Sequence, residues 1–136
     1  MNQPTHPVSS LSLPDQTAIN SFIKQTKLAY GSDLHTVILY GSKARGDANV
    51  ESDIDLLIVM NRDNWQLRHA LSDIASHVSL AHDVTISVQL VSLQRWQQMK
   101  QEAFLFFRNI FREGVPLFDP GDLFQDMPVH ENLLAE

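Results

Sequence analysis

The chain has 136 residues, no cysteine, and 16 acidic against 10 basic side chains, a formal charge of −6. At this length one compact domain is expected, and a hydrophobic share of 43% is enough for a single core. The lack of cysteine removes disulfides, thiolate zinc sites and a cysteine nucleophile, and the acidic balance argues against a dedicated DNA or RNA binder. With no run of ~18 apolar residues and no basic start leading into an apolar stretch, neither a membrane span nor a secretory signal is expected, and the expected location is the cytoplasm.

Charge and proline divide the chain before any element is assigned. Residues 119–136 hold five carboxylates and no Lys or Arg, which leaves 11 acidic and 10 basic residues in positions 1–118. All six prolines fall at or before Pro14 or at and after Pro116. The expected organisation is a flexible arm over 1–14, a folded domain over 15–118 and an acidic tail over 119–136. The tail is expected to be solvated, with Leu123, Phe124, Leu133 and Leu134 as its apolar content.

In chain order, residues 15–30 read as a helix, with Ala18, Ile19, Phe22 and Ile23 near one stripe, Ser12 or Asp15 as cap, and Gly31 at its end. Residues 34–40 are rich in β-formers and read as a buried strand. A turn around Gly41 and Gly46 leads to a second apolar strand over 54–60. Leu67, Leu71, Ile74, Ala75 and Val78 mark a helix over 65–81. Residues 85–91 alternate as a half-buried strand does. Ser92 can cap a helical region reaching Arg112, with Trp96, Met99, Ala103, Phe107, Ile110 and Phe111 as inner face, and Gly114 stops it. A short strand over 115–118 is open. The order predicts an α/β (α+β) domain, a small mixed β-sheet with helices packed on one face.

The chemistry concentrates in residues 39–59. On a strand, Asp53 and Asp55 point to one face while Ile54, Leu56 and Ile58 point to the other. Two adjacent carboxylates repel unless a cation neutralises them, and hard oxygen donors favour Mg²⁺. Gly41 allows close approach of backbone to a ligand, and the N–H groups after it, with the Ser42 hydroxyl, can receive a phosphate.

Gly41-Ser42, ten residues, then Asp53-Ile54-Asp55 resembles the Gly-Ser and Asp-x-Asp signature of the DNA polymerase β-type nucleotidyltransferase superfamily, within it the minimal nucleotidyltransferases (MNT). Arg45-Gly46 and Ser52 stand at familiar places, and the later stretches 90–92 and 109–114 are similar less specifically, so the resemblance spans roughly 15–118. It implies the nucleotidyltransferase fold and transfer of AMP from ATP to an acceptor hydroxyl. Asp53 and Asp55 would be catalytic and would hold two Mg²⁺ ions; Gly41, Ser42, Arg45 and Ser52 would bind the nucleotide. Arg45 has two open roles, neutralising phosphate or pairing with Asp47 or Glu51. Lys43 has none fixed by the sequence.

One position departs from the pattern. Many members carry a third carboxylate on the later strand, where this chain reads Val88-Gln89-Leu90-Val91. Gln89 is a neutral amide that cannot take up a proton, which weakens any mechanism needing a base there. Asp83 has the right parity but stands six residues away, roughly 20 Å along a strand. A related subset with Ile-Ser-x-x-x-x-Ser strands, which residues 86–92 resemble, lacks this acid. His69, His77 and His82 are eight and five apart, not the four that stacks ligands on a helix, and read as solvated. Phe104, Phe106, Phe107 and Phe111 read as core, with Leu105 and Phe106 flanking the stripe and open to a partner.

These readings converge on a Mg²⁺-dependent, MNT-type protein adenylyltransferase (AMPylation), the antitoxin of a HEPN/MNT toxin–antitoxin pair. The expected partner is a HEPN-type toxin, with no membrane and no direct nucleic-acid contact, and homo-oligomerisation is left open. The alternative is a catalytically weak nucleotide-binding module that neutralises its partner by direct binding.

Overall fold

The computed structural model describes residues 11–49, 52–102 and 105–124. The elements run α1 (Leu13–Tyr30), β1 (Leu34–Tyr40), α2 (Ser42–Arg45), β2 (Ile54–Met60), α3 (Trp65–His82), β3 (Ile86–Ser92), α4 (Leu93–Glu102), α5 (Leu105–Glu113) and β4 (Val115–Phe118). The four strands form one mixed sheet in the order β3-β2-β1-β4. β2 and β3 are parallel, joined by the α3 crossover that a parallel pair requires, and β1 is antiparallel to both β2 and β4.

The sheet is covered on both faces, which corrects the expectation of helices on one face. Val37, Leu39, Ile54, Leu56, Ile58 and Leu90 pack with Ala18, Ile19 and Phe22 of α1 and with Leu67, Leu71, Ala75 and Val78 of α3. The alternate residues Ile38, Leu57, Val59 and Val91 pack with Trp96 and Met99 of α4, Phe107 and Ile110 of α5, and Phe124. The physical reason lies in β2, whose run Leu56-Leu57-Ile58-Val59 is apolar at both parities and entirely buried. The expected helical region reaching Arg112 is helical wherever it is described, as α4 and α5; Ala103 and Phe104 lie outside the described residues, as does the side chain of Phe106.

Both expected domain boundaries move outward. Ser12 caps α1 in a capping box with Asp15, Pro14 sits in the first turn, and Leu11 is buried, so the folded unit includes residues assigned to the arm. At the other end the Asp119 carboxylate accepts the backbone N–H groups of Leu123 and Phe124, at 2.9 Å each, and seats Phe124 against Phe111. The start of the acidic tail is therefore part of the core. Residues 1–10 and 125–136, with Asp126, Glu131, Glu136, Leu133 and Leu134, lie outside the described residues.

Candidate active site

β1 and β2 build the site at the ends where they meet the Gly41 turn. Tyr40 and Asp55 are cross-strand partners, and Asp55 is in register with Ser87 on the neighbouring parallel strand. Cross-strand partners project from the same side of a sheet, so Tyr40, Asp55 and Ser87 share the face that α4 and α5 cover farther along. There the cover ends: Val91 is buried, but Gln89 and Ser87 are exposed, Asp55 is half-buried and Asp53 is exposed.

Gly41 brings the turn onto this face. Its φ of 80° lies in the left-handed region, and a Cβ there would sit 3.2 Å from Asp55 Cγ and in collision with Asp55 Oδ2. Only glycine lets the backbone pass this close to the carboxylate. Gly41 also caps the four-residue α2, its carbonyl accepting from the N–H groups of Ala44 and Arg45, which places half-buried Ser42 beside Asp55's strand end. Gly46 closes α2 at φ 87°.

Burial pushes the Asp55 carboxyl above its ordinary range, the neighbouring Asp53 charge adds to the effect, and Arg45 partly offsets it. The Tyr40 phenol is raised first by burial and then by the Asp55 charge. Negative charge is thus in excess at this point of the surface. The donor set, two carboxylates two residues apart at an open strand end, fits a hard cation that keeps most of its other ligands from water or substrate, the habit of Mg²⁺. Among the described residues no group of three or more His, Cys, Asp or Glu comes together.

The remaining sequence candidates separate. Arg45 donates to Asp47 at 3.1 Å and to Glu113 at the end of α5 at 3.4 Å, while Glu51, its other expected partner, lies outside the described residues. Ser52 closes a turn: its hydroxyl accepts the Asn49 N–H at 3.1 Å, and its own N–H donates to the Asn49 carbonyl. Ser52 immediately precedes Asp53. Gln89 is in register with Leu57, one pleat beyond Asp55. His69 is exposed and faces Asp73 at 3.5 Å. The sequence reading missed Tyr40 and Glu113. Tyr40 was legible from parity, two residues from core-facing Ile38 and next to the turn. Glu113 carries no sequence signal, being 68 positions from the Arg45 it meets.

A mixed sheet with paired carboxylates at the end of one strand and a glycine turn at the end of its neighbour defines a nucleotidyltransferase architecture. The polymerase beta nucleotidyltransferase family model matches residues 18–121, and the chain belongs to that family. A candidate protein adenylyltransferase of Methanocaldococcus jannaschii is 33% identical over 104 residues, covering 76% of this chain and 98% of that protein. Two solved structures share the fold. One is a toxin–antitoxin complex with AMP-PNP, with TM-score 0.52, 19% identity and coverage of 84% of this chain and 88% of that one. The other is the tri-AMPylated Shewanella oneidensis HEPN toxin in complex with MNT antitoxin, with TM-score 0.51, 20% identity and coverage of 88% and 89%.

Proposed function

We propose that this nucleotidyltransferase moves AMP from ATP to a hydroxyl of a partner protein, and that the partner is a HEPN-type toxin which it restrains as an MNT antitoxin. The observation that carries the reading is the convergence of Gly41, Ser42 and Asp55 at one open strand end, with Asp53 two residues away. In the reaction the acceptor oxygen bonds to the α-phosphorus, the bond to the β-phosphate breaks, pyrophosphate leaves, and the hydroxyl proton goes to solvent.

Asp53 and Asp55 would hold Mg²⁺, two ions by family resemblance, which when bound neutralises phosphate charge and polarises the reacting phosphoryl group. Ser42 and the backbone at Gly41 orient the pyrophosphate end. Arg45, held by Asp47 and Glu113, lends positive charge to the same edge. Ser52, tied to Asn49, would bind nucleotide beside Asp53. Without a third carboxylate, catalysis rests on positioning and charge neutralisation, which suits the loose transition states of phosphoryl transfer.

The decisive experiment takes the product of the neighbouring gene, once that gene is confirmed to encode a HEPN-type protein, mixes it with this protein, ATP and Mg²⁺, and weighs both chains. A gain of one or more AMP units on the partner is expected; an unchanged mass with both proteins folded and associated would sink the transfer reading. The absence of a three-acid cluster among the described residues favours a second reading, neutralisation by binding alone.

Asp55 also gives a pH prediction independent of the partner. A carboxyl whose pKa is raised on folding makes the native state bind more protons than the unfolded chain. Stability of the metal-free protein therefore falls as pH rises from the ordinary carboxylate range through the raised value, and stays lower above it. Asp55→Asn should raise Tm at neutral pH by a few degrees and flatten this part of the profile. Mg²⁺ should lift the Tm of the wild type but not of the variant. Calorimetry at pH 3 to 8, with and without Mg²⁺, checks both.

A further inference from the structure

We propose that Lys43, which follows Ser42 in the turn, is a positioning residue that locks α2 onto the start of α1 through Asp15, rather than a ligand for phosphate. The inference rests on the nucleotidyltransferase reading of the site. A lysine beside a phosphate-binding turn ordinarily suggests a cationic ligand, but its ammonium points elsewhere: Nζ lies 2.7 Å from Asp15 Oδ2, and both side chains are only 4% exposed. The carboxylate it meets is already fixed. Asp15 Oδ2 accepts the Ser12 N–H at 3.2 Å, and the Asp15 N–H donates to Ser12 Oγ at 3.1 Å. That capping box begins an 18-residue helix anchored in the core by Ala18, Ile19 and Phe22.

The two helices are unequal. α1 is long and packed, whereas α2 has four residues and cannot hold its own geometry. Besides Lys43, its buried side chain is Ala44. Turning Lys43 toward a ligand would leave the Asp15 carboxylate buried and unpaired, the costly outcome for an internal ion pair. Two residues back from Lys43 stands Gly41, whose backbone passes so close to Asp55 that a Cβ would collide with its carboxylate. The orientation of the nucleotide turn is thus set from α1, and Asp15 is coupled to a site it does not touch.

Asp15→Asn separates this from simple electrostatics. Removing a negative charge should, on Coulomb grounds alone, tighten binding of a triphosphate. The tether predicts the reverse: Kd for ATP with Mg²⁺, by calorimetry, rises about tenfold or more in both Asp15→Asn and Lys43→Met, because a shifted turn misplaces its donors. Asp15→Glu, a natural residue at this capping-box position, should retain wild-type binding. Hydrogen exchange at the Ala44 and Arg45 amides gives a readout that needs no nucleotide. Exchange should quicken there in both variants while α3 stays protected, and also in Asp15→Leu/Lys43→Met, which leaves no buried charge unpaired and so folds. Unchanged α2 exchange overturns the proposal, as does loss of ATP binding in Lys43→Met but not in Asp15→Asn. A wild type that fails to bind ATP with Mg²⁺ overturns the nucleotidyltransferase reading instead, and the exchange data still decide the tether.

Discussion

Replacing Asp53 and Asp55 together by Ala is expected to abolish nucleotidyl transfer, by about 10³-fold or more, because the several kcal/mol of charge stabilisation that a metal supplies would be lost. The fold should survive. Asp53 is exposed and Asp55 half-buried, neither has a hydrogen-bonded partner that would be orphaned by its removal in the contacts described above, and burial already works against the Asp55 charge. The double variant should melt at or above the wild-type temperature without metal and lose the stabilisation by Mg²⁺. The same variant decides between the two readings of function. If neutralisation of the partner in cells persists while the partner's mass no longer changes, the protein acts by binding; if neutralisation disappears with an intact complex, transfer is the operative step.

Asp55 was legible as the polar residue at the start of an apolar strand, on the parity opposite Ile54 and Leu56, whereas Asp53 lies just before β2 and its nearness shows through its charge on Asp55. β1 and β2 were themselves legible at their observed limits, since each is a short run of β-formers bounded by turn residues. What parity does not give is which helices cover which side. The run 56–59 has no polar residue to mark a solvent face, and the second layer became visible only through the contacts of Trp96, Phe107 and Ile110 with Leu57 and Val59.

The polar side chains of the turn were harder. Lys43 and Arg45 are both cations two residues apart, and nothing local distinguishes a buried tether from a half-exposed ion pair. The distinction comes from partners 28 and 68 positions away, Asp15 and Glu113, and so from tertiary structure alone. The end boundaries failed for a local reason that can be named. Composition marked residues 1–14 and 119–136 as peripheral, but single side chains, Ser12 through its cap and Asp119 through its two backbone hydrogen bonds, tie part of each stretch to the fold.

The two glycines of the turn supply a matched pair of substitutions in which strain and collision part company. Gly41→Ala and Gly46→Ala each place a side chain at positive φ, 80° and 87°; the αL strain at Gly46 should lower stability by about 1–2 kcal/mol, and Gly41, with ψ of −162° and a collision besides, should lose more. At Gly46 nothing lies within 4 Å of an added Cβ, so the strain is the whole effect and nucleotide binding should follow the wild type once the protein is folded. At Gly41 the Cβ meets the Asp55 carboxylate, with Cγ at 3.2 Å, so either Asp55 swings away or the turn lifts off the strand. Both responses separate the phosphate-facing turn from the acid beside it. Misplacement on the scale of 1 Å costs about 10²-fold in catalysis, and Gly41→Ala should lose at least that in kcat/KM. Transfer a hundredfold lower in Gly41→Ala than in Gly46→Ala, each measured well below its melting temperature, would show that Gly41 is required for its contact with Asp55. Equal transfer rates would reduce its part to backbone conformation.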